Sequence, residues 1–170
     1  EPHDVLFQMM QYSDIIFGDQ NEWEIASGVP HIPFEALDEN YVIDREAYLS
    51  YFRKMHRLFP KCKKMVMAVR NQIASSHHTL SGLLYDAVED QLYTTRIYDI
   101  QPIVDPMGVG DAFIAAYIHA HQKWGDENQY CLDFSLSASA IKNTIPGDQN
   151  LVSEEEIISN MTSSGGRIQR

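Results

Sequence analysis

The chain has 170 residues, 44% of them hydrophobic and 22% charged, which suits one globular domain or a large piece of one, able to bury roughly 70% of its unfolded surface without disulfide staples. Its net charge of -11 argues against general affinity for nucleic acid or anionic membrane, and no apolar run approaches the ~18 residues of a membrane span. The two cysteines, Cys62 and Cys131, show no zinc-ligand spacing and are too few for a disulfide scaffold, so a reducing, cytoplasmic setting is expected.

In chain order, residues 4–12 (DVLFQMMQY) predict a helix with Asp4 as its N-cap. Ser13 to Gly18 predicts a short buried strand. Residues 19–27 return to helical spacing and stop at Gly28, a residue suited to a left-handed helix end. Pro30 and Pro33 make 29–40 a loop. Asp44 then caps a strong helix, REAYLSYFRKMHRLF, closed by Pro60, with Tyr48, Phe52, Met55 and Phe59 on one face. Lys64 to Val69 predicts a buried strand, followed by a loop over 70–76. Residues 79–85 and 91–98 alternate like two strands around a turn at 86–90. Helices are predicted over 108–121 and 130–143. Ser153 and Glu156 form a capping box for a last helix.

This order predicts an α/β layer fold with a largely parallel sheet, the helices of 108–161 covering one face. Residues 1–161 read as one unit and 162–170 as a frayed tail. Charge is uneven along the chain. Residues 1–50 hold eleven acids and one base, Arg45, whereas Arg53 to Arg70 holds seven bases and no acid. The basic run reads either as a solvated face or as a steering field for phosphates.

Chemistry concentrates in Val104-Asp-Pro-Met-Gly-Val-Gly-Asp-Ala-Phe113. Gly108 and Gly110 stand just before a helix. Glycines let backbone N–H groups converge on an anion, and a helix N-terminus adds partial positive charge. Asp111 sets a carboxylate beside that anion site. It is either an ordinary helix-start acid or a base that takes a proton from a hydroxyl attacking a phosphoryl group.

This segment resembles the D-T-x-G-A-G-D-x-F signature of the ribokinase-like (PfkB-type) carbohydrate kinases, matching at Asp105, Gly108, Gly110, Asp111 and Phe113. Pro106 in place of Thr resembles the 2-keto-3-deoxygluconate kinase branch. The resemblance implies a ribokinase-like fold and ATP- and Mg2+-dependent phosphoryl transfer to a hydroxyl of a small sugar or sugar acid. It implies Asp111 as general base and an anion hole formed by the N–H groups of Gly108, Val109, Gly110 and Asp111.

The run Ser13 to Glu24 is similar to the family's strand ending in N-x-x-E, which serves magnesium and phosphate. Asp19 and Glu22 fall on that motif in one register, and Asn21 with Glu24 in another. Oxygen donors suit magnesium in either case. Arg70 and Asn71 stand where the family's nucleotide loop lies, without its glycines, and Asn143 is a candidate adenine contact. The small residues Ser135, Ser137, Ala138, Ser139 and Ala140 suit a flat base or a close helix partner equally. Gly147-Asp148 resembles the terminal motif of 2-keto-3-deoxygluconate kinases, in which the Asp meets sugar hydroxyls; an Asp after Pro-Gly is also ordinary turn chemistry. His77 and His78 are adjacent and are not expected to share a metal.

The resemblance covers only the C-terminal half of the family's pattern, without its glycine-rich sugar site and lid. This span alone is therefore expected to be inactive, and to self-associate or to pair with the missing half. Two alternatives stand beside a sugar-acid kinase: another sugar or nucleoside kinase of this family, and a non-catalytic piece that binds nucleotide or packs on a partner.

Overall fold

The computed structural model describes residues 2–33 and 41–163. The later part of the loop expected over 29–40, from residue 34, and the tail from residue 164 lie outside the described residues. The elements run α1 (Pro2–Met10), β1 (Ile15–Gly18), α2 (Gln20–Ser27), α3 (Arg45–Leu58), β2 (Lys64–Ala74), β3 (His77–Asp86), β4 (Gln91–Thr94), β5 (Tyr98–Ile100), α4 (Val109–Trp124), α5 (Asn128–Lys142) and α6 (Glu154–Thr162). Asp4 lies inside the first turn of α1 and is not its N-cap. Asp44 and Ser153 do cap α3 and α6, and Asp19 caps α2 as well, each accepting the N–H of the third residue on.

The five strands form one sheet in the order β1-β2-β3-β4, with β5 also on β3. It is an α/β sheet flanked by helices, as expected, but not a mostly parallel one. Only β1 and β2 run parallel, while β3 pairs antiparallel with β2, β4 and β5. The reason is local: β2 and β3 are joined by the short turn Ser75-Ser76, and a turn that tight permits only an antiparallel neighbour.

Alternation along the strands sorts side chains into two cores. Val66, Leu80 and Leu84 face α4, α5 and α6, whereas Met65, Met67, Val69, Leu83 and Tyr85 face α3 and α2. The face predicted for α3 is fully buried at Phe52, Met55 and Phe59, each contributing about 1.5–3 kcal/mol on removal from water. Helices α4 and α5 share one core, and Ala112, Ala116 and Ala120 of one and Ala138 and Ala140 of the other are all buried. The serines of α5 are occupied in this packing: Ser135 donates to Cys131 C=O, Ser137 to Ile157 C=O and Ser139 to Val109 C=O. Cys62 and Cys131 are both buried free thiols. No helix among the described residues is long and apolar enough to cross a membrane.

Three of the seven cations of the basic run have acidic partners among the described residues. Lys63 pairs with Asp14 at 2.9 Å and buried Lys64 with Asp126 at 2.6 Å. Arg53 makes a two-pronged contact with Asp90 in the β3–β4 turn, at 2.8 and 2.6 Å, and Tyr85 also donates to Asp90. These donors hold the Asp90 carboxyl down at about 2. A depressed carboxylate contributes stability above its unfolded pKa of about 4, and the contribution is lost as pH falls towards the folded value. Titration of the Asp90 carboxyl by NMR is expected to show a midpoint near 2, moving into the ordinary aspartate range in Arg53→Met. An unmoved midpoint would show that the guanidinium is not its cause.

Candidate functional site

The turn before α4 starts from a backbone demand. Gly108 is the N-cap of α4 in a left-handed conformation, φ 73°, and a Cβ there would lie 2.2 Å from the carbonyl oxygen of Asp148. Only glycine fits both conditions. No side chain caps this helix end; Ala112 is the first residue of the turn whose N–H returns to the helix, to Gly108 C=O at 2.9 Å. The amides of Val109, Gly110 and Asp111 are therefore the open first-turn donors of α4. A Cβ on Gly110 would meet no atom within 4 Å. The fold thus requires glycine at 108 and leaves space above 110.

Asp105 sews this turn to the one after α5. Its carboxylate accepts the N–H of Met107 at 2.9 Å and of Gly147 at 2.8 Å. The two backbone donors and, less strongly, the charge of Lys142 hold the Asp105 carboxyl below the usual range. Asn143 C=O accepts the N–H groups of Val104 and Asp105 at 2.8 and 3.2 Å.

A cavity of about 520 Å³ opens between this turn and the sheet. Val109, Gly110 and Asp111 form one wall, and Ala68, Val69 and Arg70 of β2 another. The segment from Gly18 to Glu22, where β1 passes into α2, forms a third. A crevice at the carboxyl ends of parallel strands is the usual ligand position in α/β folds. Arg70 is exposed on this wall and makes no ion pair among the described residues.

The structure brings together Asp19, Glu22, Arg70, Val109, Gly110 and Asp111, which come from three separate segments. Asp19 and Glu22 share a capping box: Glu22 N–H donates to Asp19 Oδ1 and Asp19 N–H to Glu22 Oε2, both at 2.9 Å. One oxygen of each carboxylate remains for another partner. Asn21 also lines the cavity, but Glu24 is bound to His31 instead. Among the described residues no group of three or more His, Cys, Asp or Glu could hold a metal ion. Two carboxylates do fit magnesium when it arrives with phosphate oxygens, its usual mode.

Other expected contacts lie elsewhere. The loop expected over 70–76 is strand as far as Ala74, so Arg70 and Asn71 point to opposite faces. Asn71 is buried against Thr79, with Nδ2 to Oγ1 at 3.2 Å, and is not on the cavity wall. Asn143 is also buried; its amide caps Ser139 C=O and its carbonyl holds the 104–105 segment. Asp148 is exposed beside the cavity turn and meets Gly108 through its backbone. The roles of Asp105 as a clamp and of Ser139 as a tether of α4 were not foreseen. The only sequence signal for the first was its place in the motif.

Neither a family model nor a curated protein matches the sequence. Solved structures do. The 2-dehydro-3-deoxygluconokinase of Thermotoga maritima superposes with a TM-score of 0.80 at 28% identity, over 95% of this chain and 45% of that one. A PfkB family carbohydrate kinase from Listeria grayi gives 0.77 at 24% identity, again over 95% and 45%. A protein described as a 2-keto-3-deoxygluconate kinase, from Enterococcus faecalis, gives 0.69 at 16% identity, over 99% and 48%. The fold is that of the PfkB-type carbohydrate kinases, and the chain spans about half the length of the structures it matches.

The two glycines are expected to respond oppositely to the same substitution. Gly108→Ala meets the Asp148 carbonyl in a left-handed backbone and is expected to lower stability by about 1–3 kcal/mol. Gly110→Ala meets nothing and is expected to leave stability unchanged or raise it by up to ~1 kcal/mol. Thermal unfolding of the two variants checks this; equal loss in both would mean that the space above Gly110 is not free.

Proposed function

We propose that this chain is the nucleotide and general-base half of an ATP-dependent kinase acting on a hydroxyl of a small sugar or sugar acid, with 2-keto-3-deoxygluconate as the first candidate. One observation carries the reading: the uncapped, glycine-bearing N-terminus of α4 and the Asp111 carboxylate share a cavity with Arg70 and with the Asp19–Glu22 pair. Amides at a helix start stabilise charge on a transferring phosphoryl group, and a neighbouring carboxylate accepts the proton of the attacking hydroxyl.

In this mechanism the N–H groups of Val109 and Gly110, with those of Gly108 and Asp111, hold the phosphoryl oxygens. Asp111 orients the sugar hydroxyl and takes its proton. Arg70 neutralises phosphate charge from the sheet side. Asp19 and Glu22 are the residues that would hold a magnesium ion, directly or through water, and the ion would supply positive charge that offsets the phosphates. Asp148, on the neighbouring turn, would be the contact to the sugar's hydroxyls. Asn71 and Asn143 support the walls rather than touch nucleotide. Lid and sugar-positioning elements belong to the rest of the fold, so turnover requires both halves.

The test uses a chain that carries both halves of the fold, assayed with ATP and magnesium over a panel of sugar acids, sugars and nucleosides. Asp111→Asn is expected to lower kcat by about 10²–10⁴-fold, the range for a general base, with ATP affinity retained or improved. Near-normal kcat would sink the base assignment, and turnover only of nucleosides would move the substrate class.

The same reading includes a partner surface. Among the described residues β1 pairs only with β2 and so forms an edge of the sheet, and Val5, Met9 and Tyr12 lie exposed on and just after α1, the element that precedes it. An open strand edge with apolar neighbours drives association. Light scattering of this span alone is expected to show self-association that rises with concentration, and a monodisperse monomer would count against it.

A further inference from the structure

We infer that Lys142 is a positioning residue, a fixed internal cation that holds the turn before α4 in its anion-binding shape. The inference rests on the phosphoryl-transfer reading above. Lys142 is the last residue of α5, and it is 0% exposed. Lysine is almost never fully buried unless its charge is matched. Here the ammonium donates to Ile145 C=O at 3.0 Å. It also stands at the carbonyl end of a helix, where the macrodipole is negative.

The bond to Ile145 folds the segment after α5 back over the helix end. That segment is the support of the candidate site. Gly147 gives its N–H to Asp105, and Asp148 C=O occupies the place that a Cβ on residue 108 would need. The ionised form of Asp105, favoured first by its two backbone donors and least by the charge of Lys142, accepts from both Met107 and Gly147. One buried charge therefore acts on both sides of a junction between two loops, and one of those loops ends in the amides of Val109 and Gly110. An uncharged chain of the same length would fill the space, but it would neither anchor Ile145 nor favour ionised Asp105.

Calorimetric titration of ATP with magnesium into the intact chain tests this, with thermal unfolding of each variant measured alongside. Lys142→Ala is expected to weaken ATP binding at least tenfold, with methylammonium restoring most of the loss and choline none. Lys142→Met, which fills the site without charge, is expected to show the loss without the rescue. Should these variants fail to fold, Asp105→Asn decides the matter by sign. Removing a negative charge near phosphates strengthens binding if charge alone acts, whereas a lost clamp weakens it severalfold. Unchanged ATP affinity in folded Lys142→Met, no rescue of folded Lys142→Ala, or equal or tighter binding in Asp105→Asn would overturn the inference. Absence of ATP binding by the unaltered chain would instead overturn the functional reading beneath it.

Discussion

The carboxylate of Asp105 holds two amides from different loops, Met107 and Gly147, and the geometry of the candidate site depends on that bridge. It acts beside the bonds of Asn143 C=O to Val104 and Asp105 and of Ser139 to Val109 C=O, and it joins residues 42 positions apart along the chain. The close approach of Gly108 to the Asp148 carbonyl is the steric counterpart of the same junction. A side chain at 108 would force the two loops apart and would refuse the left-handed backbone that aims the next amides at the cavity. Polar bridge and steric fit thus enforce one arrangement.

Electrostatics then distinguishes the site from its surroundings. Three of the seven cations of the 53–70 run, Arg53, Lys63 and Lys64, are paired with neighbouring carboxylates. Arg70 is left facing the cavity, together with the positive end of α4. The carboxylates on the same cavity, Asp19, Glu22 and Asp111, would repel a bare polyphosphate. They are compatible with one that carries its own divalent cation and presents a hydroxyl-bearing acceptor.

Helix caps and amphipathic faces were readable from local sequence. Asp44 and Ser153 cap where their spacing indicates, and the apolar stripe of α3 is buried as its period requires. The sheet was less readable. Strands β2 and β3 form a hairpin through residues that look like a loop, since Asn71, Gln72 and His77 carry little apolar signal, yet their backbones pair, with one register shift between Gln72 and Ala74. That pairing reversed the expected sheet direction and turned Asn71 away from the cavity. Asn143 was misread for a related reason: a polar residue at a helix end can serve a ligand or a neighbouring backbone, and only the neighbouring loop reveals which.

The sequence by itself determined the chemistry of the turn, because Gly108, Gly110 and Asp111 lie within four consecutive residues and their spacing sets their relation to the helix start. It also set the element order and most helix ends, which are local properties of capping and period. The tertiary structure decided what those residues face. Arg70, Glu22 and Gly110 are distant along the chain and meet because strand pairing and two buried layers place their segments around one cavity. The support beneath the turn is likewise a tertiary product. Lys142, Asp105 and Gly147 act together only once α5 has packed on α4, and no local pattern distinguishes a buried lysine that anchors a loop from an exposed one at a helix end.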